Sequence, residues 1–144
     1  MENRKEKGLL LSWKPEVSVW DYEKVYPEIQ NGKKVKTIGW RTRALQEVKI
    51  GMEVFIMKLG EEPKGIIAHG HVVKGPYLEN ETYYVDIEFD KILDYENEKV
   101  LKQEDLMLKF PEQKWSPQAS GIEIKETILP ELKKMWDELV KKDK

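Results

Sequence analysis

The chain has no cysteine, and that absence removes disulfide scaffolds, thiol nucleophiles and zinc–thiolate sites together. Histidine is nearly as scarce, with two in 144 residues. Long apolar runs are missing too. The longest early one, Leu9-Leu10-Leu11, falls far short of a signal-peptide core or a membrane span. There is no G-x-S-x-G, no H-E-x-x-H, no P-loop and no G-x-G-x-x-G after a strand, so the common hydrolytic and nucleotide-binding signatures are excluded. A net charge of −2 argues against indiscriminate nucleic-acid binding, which rests on phosphate neutralisation. A reducing, cytoplasmic setting fits these absences.

What remains is ordinary for a globular chain: 40% hydrophobic and 36% charged residues, enough for one domain over 1–144 with a single sizeable core. The charge is unevenly spread. From Asn31 to Lys58 seven basic residues (Lys33, Lys34, Lys36, Arg41, Arg43, Lys49, Lys58) face two acids, Glu47 and Glu53. From Glu79 to Asp105 ten acids face three lysines. That pattern is read either as scattered solvated charge or as a phosphate-facing patch on the basic part.

The organising stretch is Gly51 to Val73. Val54-Phe55-Ile56-Met57 is an uncharged apolar run, as expected for a strand covered on both faces. Glu61-Glu62-Pro63-Lys64-Gly65 has turn chemistry, and Ile66-Ile67-Ala68 is the return strand. Gly70 predicts a close backbone approach. Before this hairpin, Gly8 to Trp13 reads as a strand. A helix follows, capped by Ser18 and ended by Asn31-Gly32, its apolar stripe formed by Val19, Tyr22, Tyr26 and Ile29. Val35 to Arg43 is a second strand, and Ala44 to Lys49 a connector of about one helical turn.

After the hairpin, Lys74-Gly75-Pro76-Tyr77 reads as a loop. Tyr83 to Leu93 is a strand in which Val85, Ile87 and Phe89 alternate with Asp86, Glu88 and Asp90, one face packed and the other wet. Gln103 to Leu108 is a short helical turn, and Lys114 to Gly121 is irregular. Ile128, Leu129, Leu132, Met135, Trp136, Leu139 and Val140 line one face of a terminal helix from about Glu126 to Lys142. The order predicts a mixed α/β domain on a curved, mostly antiparallel sheet or open barrel flanked by helices.

Five tryptophans are the main functional signal. Trp136, on the terminal helix's apolar face, and Trp20, opening a helix stripe, read as core. Trp13, Trp40 and Trp115 lie at strand ends or in loops beside small or polar neighbours, where a ring can keep one face open. A flat heteroaromatic ligand such as a nucleobase stacks between such rings, at about 1–3 kcal/mol per base. Ser12 and Ser116 are placed to read its edge. His69 and His71, at i and i+2 on a strand, share a face. With no acid in the same short stretch, a third metal ligand has to come from elsewhere, such as the acidic strand 86–90. The expectation is therefore solvated or hydrogen-bonded strand histidines, with no metal and no cofactor.

The run Met52-Glu53-Val54-Phe55-Ile56-Met57-Lys58-Leu59-Gly60-Glu61-Glu62-Pro63-Lys64-Gly65-Ile66-Ile67-Ala68-His69-Gly70 resembles the central signature of EVE domains, a "GD-x-VF…G-x-x-P-x-GI-x-A-x-G" pattern, with Gly51-Met52-Glu53 departing modestly at its opening. Tyr84 to Asp90 and Trp115-Ser116-Pro117-Gln118-Ala119-Ser120-Gly121-Ile122 are similar to segments of EVE modules found ahead of HNH endonuclease domains in modification-dependent restriction proteins. The likeness runs from about Leu9 to the terminal helix. It implies a PUA-like fold, related to the YTH readers of methyladenine. It also implies that a modified base, flipped out of DNA or RNA, is held in an aromatic cage. Trp40-Arg41-Thr42 lies where those readers carry a Trp-Ser-Thr wall, with Arg41 replacing the small residue. Leu11-Ser12-Trp13-Lys14 is comparable to their base-touching first strand end, and Tyr77 and Trp115 are candidates for the second wall.

The resulting expectation is a reader without covalent chemistry of its own. Lys33, Lys34, Arg41 and Arg43 contact phosphates, while Ser12, Trp13, Trp40, Thr42, Tyr77, Trp115 and Ser116 form the pocket. No HNH motif occurs in these residues; if the chain serves a restriction system, the cutting domain lies elsewhere, in a longer parent chain or a partner. The rival expectation is an ASCH-like hydrolase of modified nucleosides or RNA, using Lys58 or Lys74 with Glu88. A blander third is a module whose tryptophan slot docks a peptide.

Overall fold

The structure is a computed structural model and describes residues 7–16, 20–33, 35–42, 48–115 and 121–142, the side chains of 35, 38 and 142 excepted. Apolar runs dictate its centre. Leu9, Leu10 and Leu11 form most of β1 (Gly8–Trp13), and Val54 to Met57 most of β3 (Glu53–Lys58). All seven of these side chains are fully buried, as continuous apolar strands must be when both faces are covered. The strands β1 and β3 run parallel, Leu9 opposite Val54 and Trp13 opposite Lys58. A parallel pair needs a crossover, and the intervening chain supplies it with α1 (Tyr22–Gln30) and β2 (Val35–Thr42).

The remaining pairings are antiparallel. β3 pairs with β4 (Gly65–Glu79), β4 with β5 (Thr82–Ile92), and β5 with β2, while β7 (Ile122–Ile124) lies on the far side of β1. The order is β2-β5-β4-β3-β1-β7, and the two-residue β6 (Leu101–Lys102) pairs with the start of β4. The result is a mixed α/β fold on an open, mostly antiparallel sheet with three helices. β2 and β7 form its two edges among the described residues.

Helices cover both faces. The first, α1, buries Val25 and Ile29 and half-buries Tyr22 and Tyr26. Asp21 stands at its N-terminus without a capping side-chain bond, and it ends at Asn31-Gly32 as expected. Ser18 and Val19, read as its cap and stripe, lie outside the described residues, as do residues 44–47 of the connector. On the other face α3 (Leu129–Lys142) sets Trp136 edge-on to Phe55, ring centres 5.9 Å apart. α2 (Gln103–Lys109) buries Leu106 near the β4–β6 junction.

Two expectations need correction. Lys74-Gly75-Pro76-Tyr77 is not a loop: β4 continues through it to Glu79, absorbing the glycine and proline as shifts of register against β5. The wet face of β5 is not uniformly wet either, because Asp86 is buried. Gly70 does admit the close approach it predicted. A Cβ there would collide with the Glu88 carbonyl oxygen and sit 3.0 Å from Phe89 Cα and Ile87 Cγ2.

Candidate functional site

Tryptophan and tyrosine rings gather where β1, α1 and β2 meet. Trp13 lies edge-on to Trp20 at 5.0 Å, and Trp20 edge-on to Trp40 at 5.0 Å. Tyr22 stacks on Trp13 at 5.3 Å and on Tyr26 at 5.8 Å, while Tyr95 and Phe89 close the sides. These are the offset and edge-to-face geometries that aromatic quadrupoles favour. Burial grades across the cluster. Trp13 is buried at 5% exposure, whereas Trp20 and Trp40 are half-buried.

Hydrogen bonding is complete for some of these rings and missing for others. Trp20 Nε1 donates to Thr37 Oγ1 at 3.4 Å, and Tyr22 donates its hydroxyl to the Leu93 carbonyl at 2.5 Å. Burial pushes the Tyr22 phenol well above its ordinary range. Trp13 Nε1 and Thr42 Oγ1 are the exceptions: both are buried and, among the described residues, neither has a hydrogen-bond partner. An unpaired buried donor costs about 1–3 kcal/mol, so such groups are rare.

Of the residues expected to form one pocket, the structure joins some and separates others. Trp13 and Trp40 are linked through Trp20, a residue the sequence assigned to the core. Ser12 is adjacent to Trp13 on a regular strand and so points to the opposite face. Tyr77 is likewise excluded from the Trp40 side, because Trp40 lies opposite Val85 while Tyr77 and Arg41 lie opposite Tyr84, its neighbour on β5. Trp115 is turned inward at 2% exposure. Its N–H donates to the Phe110 carbonyl at 3.1 Å, its ring rests on Phe110, and Gln103 holds its carbonyl. Trp13 and Trp115 therefore do not present the open faces expected of them. Ser116, Lys34 and Arg43 lie outside the described residues. Lys33 is exposed, 3.9 Å from Glu28, and Arg41 is exposed on the outer face of β2.

A second constellation surrounds Asp86. Two residues of β2, Ile38 and Gly39, oppose this one residue of β5, and the bulge holds Gly39 at φ +78°. That turns the Gly39 N–H onto Asp86 Oδ1 at 2.8 Å, where the Tyr77 hydroxyl also donates at 2.6 Å. The Asp86 carboxylate beside it pushes the Tyr77 phenol up to about 12.

The pairs suggested for hydrolysis are only partly assembled. Lys58 is buried, its ammonium donating to the Glu61 and Pro63 carbonyls at 2.7 and 3.1 Å and lying 4.9 Å over the Tyr95 ring. Burial holds its pKa below the ordinary lysine value. Along β4, Lys58 is level with Gly65 and Glu88 with His71. Six residues separate those positions, about 20 Å. Lys74 is nearer, opposite Asp86, with its ammonium 5.0 Å over the Tyr77 ring.

A third cluster was only half visible in sequence. His69 and His71 project from β4 toward Glu53 of β3, and His71 is directly opposite Glu53. Glu53 Oε1 lies 2.5 Å from His69 Nε2, Asp90 Oδ1 2.9 Å from His69 Nδ1, and Lys133 Nζ of α3 2.6 Å from Glu53 Oε2. Burial disfavours charge on both His69 and Glu53, but the paired groups outweigh it. Asp90 and Glu53 raise His69 to about 9, while His69 and Lys133 lower Glu53 to about 2.

Among the described residues no helix is long and apolar enough to cross a membrane. No protein-family model matches the chain, and no curated protein matches it. One solved structure is similar, protein PSPTO5229 from Pseudomonas syringae, a target of the Northeast Structural Genomics Consortium determined by X-ray crystallography. The likeness has a TM-score of 0.52 at 19% identity and covers 81% of this chain and 89% of that one. It extends to the fold.

Proposed function

We propose that the chain is a nucleic-acid reader that takes one modified base, a modified cytosine or methyladenine in DNA, into the recess walled by Trp40 and Trp20. The observation that carries this reading is the Trp13–Trp20–Trp40 cluster together with two buried hydrogen-bonding groups that have no partner among the described residues, Trp13 Nε1 and Thr42 Oγ1. A nucleobase answers both features. Its π-face stacks on an indole, and its ring nitrogens and exocyclic oxygens accept from an N–H and an O–H.

Eversion costs a few kcal/mol, and stacking together with the two hydrogen bonds offsets it. Lys33 and Arg41 meet the neighbouring phosphates, which fixes the strand without reading its sequence. In this reading the chain resembles the EVE modules of the PUA-like group. It works in the cytoplasm as the recognition part of a modification-dependent restriction system, with cutting supplied by an HNH-type domain or partner.

The test is a fluorescence-anisotropy panel of methylated, hydroxymethylated and glucosylated cytosine and methylated adenine, in DNA and RNA, against unmodified strands. One modification should bind more tightly than its unmodified counterpart by about 5- to 150-fold, the limit set by about 1–3 kcal/mol for a methyl group. Equal affinity across the panel, or turnover of acylated cytidines dependent on Lys58 or Lys74, overturns the reading.

A further inference from the structure

Glu53, His69 and His71 raise a question that base recognition does not use, since His69 and Glu53 lie on the α3 side of the sheet, with Phe55 and Trp136 against the His69 ring. We infer that these three side chains form a binding site for one divalent ion of the zinc class, clamping β3 to β4 beneath α3.

The geometry is the first support. One donor atom from each residue lies within 4.8 Å of the others. Zinc bonds of about 2.0–2.2 Å set tetrahedral donors about 3.4 Å apart, so small side-chain rotations close the set. The backbone already holds the donors in place. Glu53 and His71 are a directly opposed cross-strand pair, and His69 lies two residues before His71 on the same face of β4.

The surroundings are the second support. Asp90 engages His69 Nδ1 at 2.9 Å, which leaves Nε2 turned toward Glu53. A carboxylate behind a histidine in this way fixes the tautomer and raises the basicity of the nitrogen that binds metal. Phe55 and Trp136 shield the His69 ring, with centres 4.9 and 6.4 Å away. His71 completes the set. Its ring meets His69 edge-on at 5.2 Å, and among the described residues no hydrogen bond engages it. Lys133 holds Glu53 Oε2 and leaves Oε1 facing the histidines.

Two imidazoles and a carboxylate suit zinc, cobalt or nickel rather than magnesium or calcium, which prefer oxygen alone. The ion takes the place of the proton between Glu53 Oε1 and His69 Nε2, which leaves to solvent. Three protein ligands leave a fourth position for water. The third ligand was invisible to sequence reasoning because it comes from β3, sixteen residues before His69 and brought opposite by pairing.

The experiment uses the tag-free full chain, stripped with chelator and titrated with zinc chloride by calorimetry, with cobalt absorption reporting geometry. One equivalent of zinc should bind, raise the melting temperature reversibly with chelator, and give the intense visible bands of tetrahedral cobalt. His71→Ala should weaken zinc by more than about 100-fold, and Asp90→Asn by about 10- to 100-fold. His71→Gln serves if the alanine variant fails to fold by circular dichroism. No heat of binding and no thermal shift in the wild type overturns the site, as does unchanged affinity in the folded His71 variant.

Discussion

Replacing Trp40 with alanine separates the proposed base contact from the core that supports it. The ring contacts Trp20 at 5.0 Å and Phe89 at 6.2 Å and is half-buried. Each aromatic pair contributes about 0.5–1.5 kcal/mol beyond area, and a fully buried tryptophan costs about 3–5 kcal/mol on truncation. Half burial puts Trp40→Ala near 2 kcal/mol, small enough to leave a folded chain with a typical stability of about 5–15 kcal/mol. Binding should change more selectively. Loss of one stacked ring removes about 1–3 kcal/mol from the modified strand, a factor of about 5 to 150 in Kd. The unmodified strand, whose base is not everted, should change by less than about twofold. The assay is paired anisotropy titration with a urea denaturation curve on the same preparation. Trp115→Phe is the control: its ring is buried against Phe110, so it should alter stability and leave the ratio of affinities alone. Equal weakening of both strands by Trp40→Ala, or none, refutes the stacking role.

Three further perturbations follow from the same structure. Substituting Lys33 and Arg41 by alanine should weaken modified and plain strands alike and reduce the slope of log K against log salt by about one for each phosphate no longer neutralised; a change confined to the modified strand would contradict a phosphate role. Gly70→Ala should destabilise by about 1–3 kcal/mol or more in urea, since its Cβ meets β5 backbone that cannot move aside, and a change under about 0.5 kcal/mol would contradict that packing. Tyr77 should titrate near 12 by ultraviolet difference absorbance, and Asp86→Asn should return it toward 10. Because its folded pKa is the raised one, the contribution to stability is full below about 10 and is lost as pH climbs through 12. Unchanged titration in the variant would break the link.

Local pattern carried the strands whose environment is uniform. Leu9 to Leu11 and Val54 to Met57 are buried on both faces, and the 3.6-residue stripe from Ile128 to Val140 packs as it reads, Ile128, Leu129, Leu132 and Trp136 buried and Met135, Leu139 and Val140 partly so. Where two strands disagree in register, pattern failed. Asp86 sits at a wet position of β5 by alternation, yet the β2 bulge at Gly39 and the Tyr77 hydroxyl enclose it. Gly75-Pro76 signals a loop in isolation, whereas β4 stays paired with β5 on either side of it, at Lys74 and Tyr77. The site suffered the same way. Ser12 stands next to Trp13 in sequence and Tyr77 is the ring offered by the segment after the hairpin, and strand alternation sends each to the other face. Trp20 was assigned to the core because it opens a helix stripe, and only the meeting of β1, α1 and β2 reveals it between Trp13 and Trp40.

The most direct test of base capture is the emission of 2-aminopurine placed beside the modified base in a duplex. If that base leaves the helix for the indole recess, its neighbour is no longer stacked on that side, and emission should rise on binding to the modified duplex and stay flat on the unmodified one. Saturable binding of the modified duplex with no rise in emission would contradict eversion into the Trp20–Trp40 recess.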